Sequence, residues 1–261
     1  MSPIRRVVVF GAGYFGKVLA QALARSGYEV VTTRRSPDSN SSGSIVFDLK
    51  RPKTWVAVPK SWGYVVTFPV EPMELISQFF GSVVPVASRL VAISTTSVFV
   101  VDEEDAPVDE DSRINMSSPR VQGEEYLLQR GCVVLHSAGM YGPRRNPLDW
   151  VRKGLIADGR KLVNLIHVED PAAASIAALE SSVSGRRYVV SDGTPRRWDD
   201  IVSWAVARGF LKTALPKGPL RRSSRRASPQ RLLHEVSPHF THTDFLAELA
   251  LLEGMSGKAP V

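Results

Sequence analysis

The stretch Val7-Val8-Val9-Phe10-Gly11-Ala12-Gly13-Tyr14-Phe15-Gly16 is a short apolar run that breaks into three spaced glycines. Lys17 to Arg25 then carries apolar residues at helical spacing. Glycines in this order can serve an anion. Gly11 makes a tight turn, Gly13 lets the backbone approach a diphosphate, and Gly16 lets helix and strand pack closely. Tyr14 and Phe15 open the helix within the same loop, where free N–H groups and a partial positive charge face the anion. A second set of residues follows about 20 positions on, in Thr33-Arg34-Arg35-Ser36. An NAD site usually places Asp or Glu there, to accept from the ribose 2′-hydroxyl, whereas guanidinium and hydroxyl groups suit a 2′-phosphate. Arg34, Arg35 and Ser36 therefore predict NADP(H), with NAD(H) the less favoured cofactor. A pair of solvated loop charges is the alternative reading of the two arginines.

Positioning these residues requires a strand, a turn and a helix in immediate succession, and the rest of the chain repeats that alternation. Strand-like segments are expected near 6–10, 28–33, 44–48, 63–68, 88–95, 131–137, 162–166 and 186–191, and helices near 14–25, 71–81, 117–130, 147–157, 169–182 and 197–208. This pattern predicts an α/β fold: a Rossmann-type doubly wound parallel sheet with helices on both faces. Residues 1–210 are expected to form that domain, with elements of a small C-terminal substrate lobe from about 140, and residues 211–261 a cap or tail. The tail starts with the loop-like Lys217–Arg226 and ends in the amphipathic run Thr243–Leu252.

Composition narrows the function classes. In 261 residues, 43% hydrophobic and 23% charged, there is ample material for a globular core. No run approaches the ~20 apolar residues of a membrane span, and Arg5-Arg6 leads into the first strand without a signal-peptide pattern. Cys132 is the single cysteine, which excludes an intrachain disulfide and points to a reducing, cytoplasmic location. The net charge of +7 comes from arginine doublets spread along the chain, which argues against a nucleic-acid stripe. Arg144-Arg145 either faces an anionic substrate or is a solvated pair. The acidic stretch Asp102–Asp105 reads as a solvated loop. His234, His239 and His242 have no zinc-site spacing, so no metal is expected. Asp170 and Pro171 are expected as N-cap and N1 of a helix.

Three further motifs occur in order: Ile93-Ser-Thr-Thr-Ser-Val-Phe99, Tyr141-Gly-Pro143 and Ile166-His-Val-Glu-Asp170. With the glycine loop they resemble an atypical, extended short-chain dehydrogenase/reductase of the NAD(P)-dependent epimerase/dehydratase superfamily, over roughly residues 4–210. The resemblance implies a carbonyl or alcohol substrate and several site residues. Asp48 and Leu49 match the position at the adenine edge, although Asp48 reads equally as a turn residue. Thr67-Phe68-Pro69 matches the loop that passes the cofactor ribose and phosphates, and Tyr141-Gly142-Pro143 the loop beside the nicotinamide. Thr95 takes the place of the family's catalytic hydroxyl. The Tyr-x-x-x-Lys dyad is missing: Met116 and Arg120 stand at its two positions. A thioether donates no proton, while Arg120 could still contact the ribose. Tyr141 is then the best-placed substitute acid, ahead of His136 and His167. Three readings follow. One is an NADP(H)-dependent oxidoreductase acting on a small carbonyl, alcohol or imine-like substrate. Another is a non-catalytic NADP(H)-binding sensor or scaffold, and the third an epimerase-like enzyme. The expected partner is a small molecule rather than membrane or nucleic acid. A homodimer through the helix bearing Glu124 to Gln129 is left open. The shortness of the chain argues for a substrate smaller than a nucleotide-sugar.

Overall fold

Strands of this chain are nearly continuous runs of valine, leucine and isoleucine, as a sheet covered on both faces requires. A computed structural model describes residues 5–36, 44–212, 215 and 224–255. In chain order the elements are β1 (Arg6–Phe10), α1 (Tyr14–Arg25), β2 (Glu29–Arg34), β3 (Ser44–Val46), β4 (Gly63–Val66), α2 (Met73–Ser82) and β5 (Arg89–Thr95). Then come β6 (Ala106–Val108), α3 (Pro119–Gln129), β7 (Val133–Ser137), β8 (Gly139–Tyr141), α4 (Pro147–Arg152), β9 (Leu162–Val163) and β10 (Leu165–His167). The chain ends with α5 (Glu169–Glu180), β11 (Arg187–Val190), β12 (Arg196–Arg197), α6 (Trp198–Ala207), β13 (Arg225–Ala227), α7 (Gln230–Glu235) and α8 (Phe245–Met255).

The main sheet has seven strands in the order β11-β7-β5-β4-β1-β2-β3, and every pair in it is parallel. The chain leaves β1 toward β2 and β3, then returns to build outward on the other side from β4. This reversal opens a crevice beyond the carboxyl ends of β1 and β4, where ligands of open α/β sheets bind. Alternation along β1 shows how the layers are filled. Val7 and Val9 join one core with Leu19 and Leu23 of α1 and Ala174 and Ala178 of α5. Val8 and Phe10 join the opposite core with Ile76, Phe79 and Phe80 of α2 and Leu127 of α3. A third core lies outside the sheet, where Tyr141, Leu148, Leu165, Trp198 and Ile201 meet Phe245 and Leu249 of α8.

Most expected elements are present, with three differences. The strand expected over 162–166 is split into β9 and β10, which pair outside the main sheet with β12 and β8. Helix α5 starts at Glu169 with Val168 as its N-cap. Asp170 is therefore not the cap. It is 1% exposed and accepts a hydrogen bond from the Thr241 N–H at 2.9 Å, so it ties down the tail instead. The acidic loop is also partnered rather than merely solvated. Asp105 accepts from Arg197 at 2.8 Å and Ser224 at 2.6 Å, and Asp102 pairs with Arg113. Most of Lys217–Arg226 lies outside the described residues. Its end, Arg225–Ala227, is a strand parallel to β6. Among the described residues no helix is long and apolar enough to cross a membrane.

Candidate functional site

The turn after β1 is held by threonines from its two neighbours. Thr33, near the end of β2, accepts from the Gly11 N–H at 3.1 Å, and its carbonyl accepts from the Ala12 N–H at 2.9 Å. Thr67, just past β4, directs its hydroxyl at the carbonyls of Phe10 and Gly11, each 2.9 Å away. Two glycines are mechanically required. Gly11 has φ +101°, a region side chains rarely adopt. A Cβ on Gly16 would lie 1.8 Å from the Gly11 carbonyl oxygen. Gly13 differs: a Cβ there would meet nothing within 4 Å, because the position faces open space. It caps α1 without any side-chain hydrogen bond, and no acidic residue sits in the first turn. The amides and dipole of this helix end therefore face the crevice with no acidic side chain of their own first turn against them; Asp48 and Glu71 line the crevice elsewhere.

That crevice is a cleft of about 1050 Å³. Gly11, Ala12 and Gly13 form one wall, Thr33, Arg34 and Arg35 a second, Phe47 to Lys50 a third, and Thr67 to Pro69 a fourth. Arg34 is half-buried and Arg35 exposed. Lys50, an exposed cation in the third wall, adds to this charge and was not anticipated from the sequence. Its signal was available, since it lies two residues past Asp48. Asp48 lines the cleft, and its Oδ1 accepts from the Lys50 N–H at 3.0 Å as a turn residue does. The ring of Phe68 lies 6.2 Å from that of Phe47 at 26°, which gives this part of the cleft an aromatic wall.

Of the residues singled out from the sequence, Gly11, Gly13, Arg34, Arg35, Asp48, Leu49, Phe68 and Pro69 line the cleft. Gly16 stands behind it, and the Phe15 side chain is buried in the sheet core. Ser36 is exposed and does not line the cleft. Arg120 does not line it either, although its neighbour Pro119 does. Thr95 ends β5, and its hydroxyl oxygen accepts from the Ser97 N–H at 3.2 Å.

The structure does not bring Tyr141 to the cleft. The residue is 1% exposed, with its ring against His167 at 5.4 Å and Phe245 at 5.1 Å. Burial, then the Asp192 carboxylate, pushes its phenol well above the usual range. A proton donor must reach its substrate, and this one is core. His136 is buried too, and burial drives its pKa down to about 3, so it is a neutral interior group. Tyr14 is a different case. Its hydroxyl is buried without a hydrogen-bond partner. A Cβ placed on Gly142 would lie 3.1 Å from that oxygen and 3.0 Å from His167 Nε2, so α1, β10 and the turn after β8 converge there. Burial raises the Tyr14 phenol to about 12, against the pull of Arg145 and Arg144. The Arg145 guanidinium sits 5.5 Å from the ring centroid.

No family model and no curated protein sequence matches the chain. Solved structures do match in fold. A Methylobacillus flagellatus protein described as an NAD-dependent epimerase/dehydratase is 22% identical, with 98% of this chain and 100% of that chain covered at a TM-score of 0.77. A short-chain dehydrogenase/reductase superfamily protein from Agrobacterium tumefaciens, with bound NAD, is 15% identical, with 96% and 98% covered and a TM-score of 0.79. UDP-N-acetylglucosamine 4-epimerase from Bacillus cereus is 15% identical, with 96% and 99% covered and a TM-score of 0.75. The chain thus has the Rossmann-type α/β fold of the epimerase/dehydratase and short-chain dehydrogenase/reductase structures.

Proposed function

We propose that this chain is an NADP(H)-dependent oxidoreductase of atypical short-chain dehydrogenase/reductase type. Its substrate is a small carbonyl, alcohol or imine-like compound, and it works in the cytoplasm without a Tyr/Lys dyad. The observation that carries this reading is the cleft. A helix end with no side-chain cap and no acid in its first turn, two arginines and a lysine surround one volume at the strand reversal. The Gly11–Gly13 backbone and the start of α1 would hold the diphosphate. Arg34, Arg35 and Lys50 would hold the 2′-phosphate, and Asp48 and Leu49 would meet the adenine. The bound nicotinamide would supply the hydride chemistry. Hydride transfer needs orientation above all, and losing general acid help costs a typical ~10²–10⁴-fold without forbidding reaction. Thr95, part-exposed at the end of β5, is the hydroxyl we assign to polarise a carbonyl.

A non-catalytic NADP(H) sensor is the second reading, and the burial of Tyr141 together with Met116 at the dyad position favours it. An epimerase-like activity is not disfavoured by length, because the chain covers 99% of the Bacillus cereus 4-epimerase.

Titration with NADPH and NADH tests the cofactor, followed by turnover across a panel of carbonyl substrates. NADPH should bind at least tenfold more tightly. Arg34→Ala/Arg35→Ala should remove that preference, at about 1.5–3 kcal/mol per lost charged hydrogen bond, and leave NADH affinity unchanged. Equal affinities refute the phosphate role of the arginines, and no uptake of either nucleotide refutes the whole reading. Binding without turnover selects the sensor.

A further inference from the structure

Away from the cleft, two histidines from distant parts of the chain come face to face. His167 ends β10, and His242 lies in the segment leading into α8. Their ring centroids are 3.6 Å apart, with the planes at 30°. Glu169, in the first turn of α5, sets its Oε2 3.1 Å from His242 Nε2. Glu248, on α8, sets its Oε1 2.9 Å from His242 Nδ1. His167 is 5% exposed, and the side chain of His242 only 20%.

Stacked imidazoles at this distance repel if both are charged, so at least one of the two rings is neutral and free to offer a nitrogen lone pair. One ring nitrogen from each histidine and one oxygen of Glu169 all lie within 4.8 Å of one another. Donors at the corners of a zinc tetrahedron, with bonds of about 2.0–2.1 Å, stand about 3.4 Å apart, so the three need only a modest closure. Glu248 supplies what a metal-binding histidine normally has, a carboxylate on the other ring nitrogen that fixes the tautomer and ring orientation. Nitrogen and carboxylate donors together suit zinc and its first-row neighbours rather than magnesium or calcium.

We propose that His167, Glu169 and His242 form a site for a divalent transition metal of the zinc class, with Glu248 orienting His242. The ion clamps the segment before α8 onto the turn between β10 and α5, next to the point where Tyr14 of α1 approaches Gly142. It adds to the contacts that already tie this segment to the sheet, the packing of Phe240 and the hydrogen bond from the Thr241 N–H to Asp170. Nothing in the cofactor reading requires it, and the site stands or falls separately.

The test is calorimetric titration of the chelator-treated full chain with Zn²⁺, with Co²⁺ followed by visible absorption. One equivalent should bind, protons should be released, and Tm should rise. His242→Ala and Glu169→Gln should each weaken binding at least tenfold, while Glu248→Gln should weaken it about 10–100-fold. His234→Ala/His239→Ala, which alters the two exposed tail histidines, should change nothing. Glu169 is half-exposed, so its variant carries the test if His242→Ala fails to fold. Failure of the wild-type chain to bind Zn²⁺ or Co²⁺ overturns the proposal and leaves His242 as an imidazolium between two carboxylates. Undiminished uptake by Glu169→Gln also overturns it.

Discussion

Gly13 and Gly16 stand three residues apart in one motif, yet the structure gives them opposite jobs. At Gly16 a methyl group would sit inside the Gly11 carbonyl, so the helix would have to move away from the strand. At Gly13 a methyl group meets no protein atom, and the backbone there, with φ −75°, is ordinary for any residue. Gly16→Ala should therefore lower stability by about 1–3 kcal/mol, as overpacking does, which is roughly 2–4 °C of Tm per kcal/mol at this size. Gly13→Ala should melt within about 0.5 kcal/mol of wild type while losing at least tenfold in pyridine-nucleotide affinity. Thermal melts and nucleotide titrations of the two variants check this. A Gly13→Ala protein that binds normally would remove the diphosphate from this loop. At this scale the sequence was most informative where residue type alone sets the role. The glycines and Arg34-Arg35 lie where their spacing predicts. Tyr141 was misjudged because adjacency to a loop motif carries no information about burial. The two-histidine cluster was invisible for a related reason: His242 can be paired with His167 only once the tail has folded back.

Three elements, β5, β7 and α3, close over a polar pocket in an otherwise apolar layer. Ser94 of β5 donates to Glu124 of α3, and the other oxygen of Glu124 lies 3.9 Å from Nε2 of His136 on β7, outside hydrogen-bond range. All three side chains are buried. Burial pushes the Glu124 carboxyl up to about 7, against the hydrogen bond from Ser94. A raised carboxyl means that the folded chain keeps a proton which the unfolded chain releases. That contribution is complete below the unfolded value of 4.5 and is lost as pH rises toward about 7. Burial also drives His136 down to about 3, the opposite sense: its contribution is complete above the unfolded value of 6.5 and is lost as pH falls. Between about pH 4.5 and 6.5 the two contributions change in opposite directions, so denaturant melts should show a plateau there, with an acid limb below it. Glu124→Gln keeps an acceptor for Ser94 and removes the titration. Its stability should instead keep rising from about pH 4.5 to 6.5 as His136 loses its proton, so the wild-type advantage over the variant shrinks by on the order of 3 kcal/mol between about pH 4.5 and 7, while the acid limb remains. Parallel curves for variant and wild type across that range would show that Glu124 is ionised in the folded chain. Element boundaries on this layer were legible because apolar runs and helix periods are local signals. Short pairs such as β13 with β6 were not: three residues carry no period, and their partner lies more than a hundred positions away.

At the scale of the whole molecule, the order of strands and helices was readable as one alternating sheet, whereas the way the tail is locked was not. The lock is a buried carboxylate. Glu253 of α8 is 1% exposed and accepts from Asn146 Nδ2 at 2.6 Å and from Arg152 Nη1 at 3.0 Å. Asn146 in turn caps α4 by accepting from the Leu148 N–H at 2.9 Å. Arg152 also donates to the Phe210 carbonyl, so the Glu253–Arg152 pair joins α8, α4 and the segment after α6 around the third core. None of these contacts touches the seven-stranded sheet. Removing one partner of a buried charged pair costs about 3–5 kcal/mol when the other is left desolvated. Arg152 keeps some exposure and its pairing with Asp149, so Glu253→Ala should fall near the lower end of that range. Where the loss appears distinguishes two architectures. If the third core opens on its own, hydrogen exchange in Glu253→Ala should quicken in α4 and α8 while β1, β4 and β5 stay protected, and NADPH affinity should hold. If protection falls equally throughout the chain, the tail and the sheet form one cooperative unit, and the cap cannot move independently over the cleft.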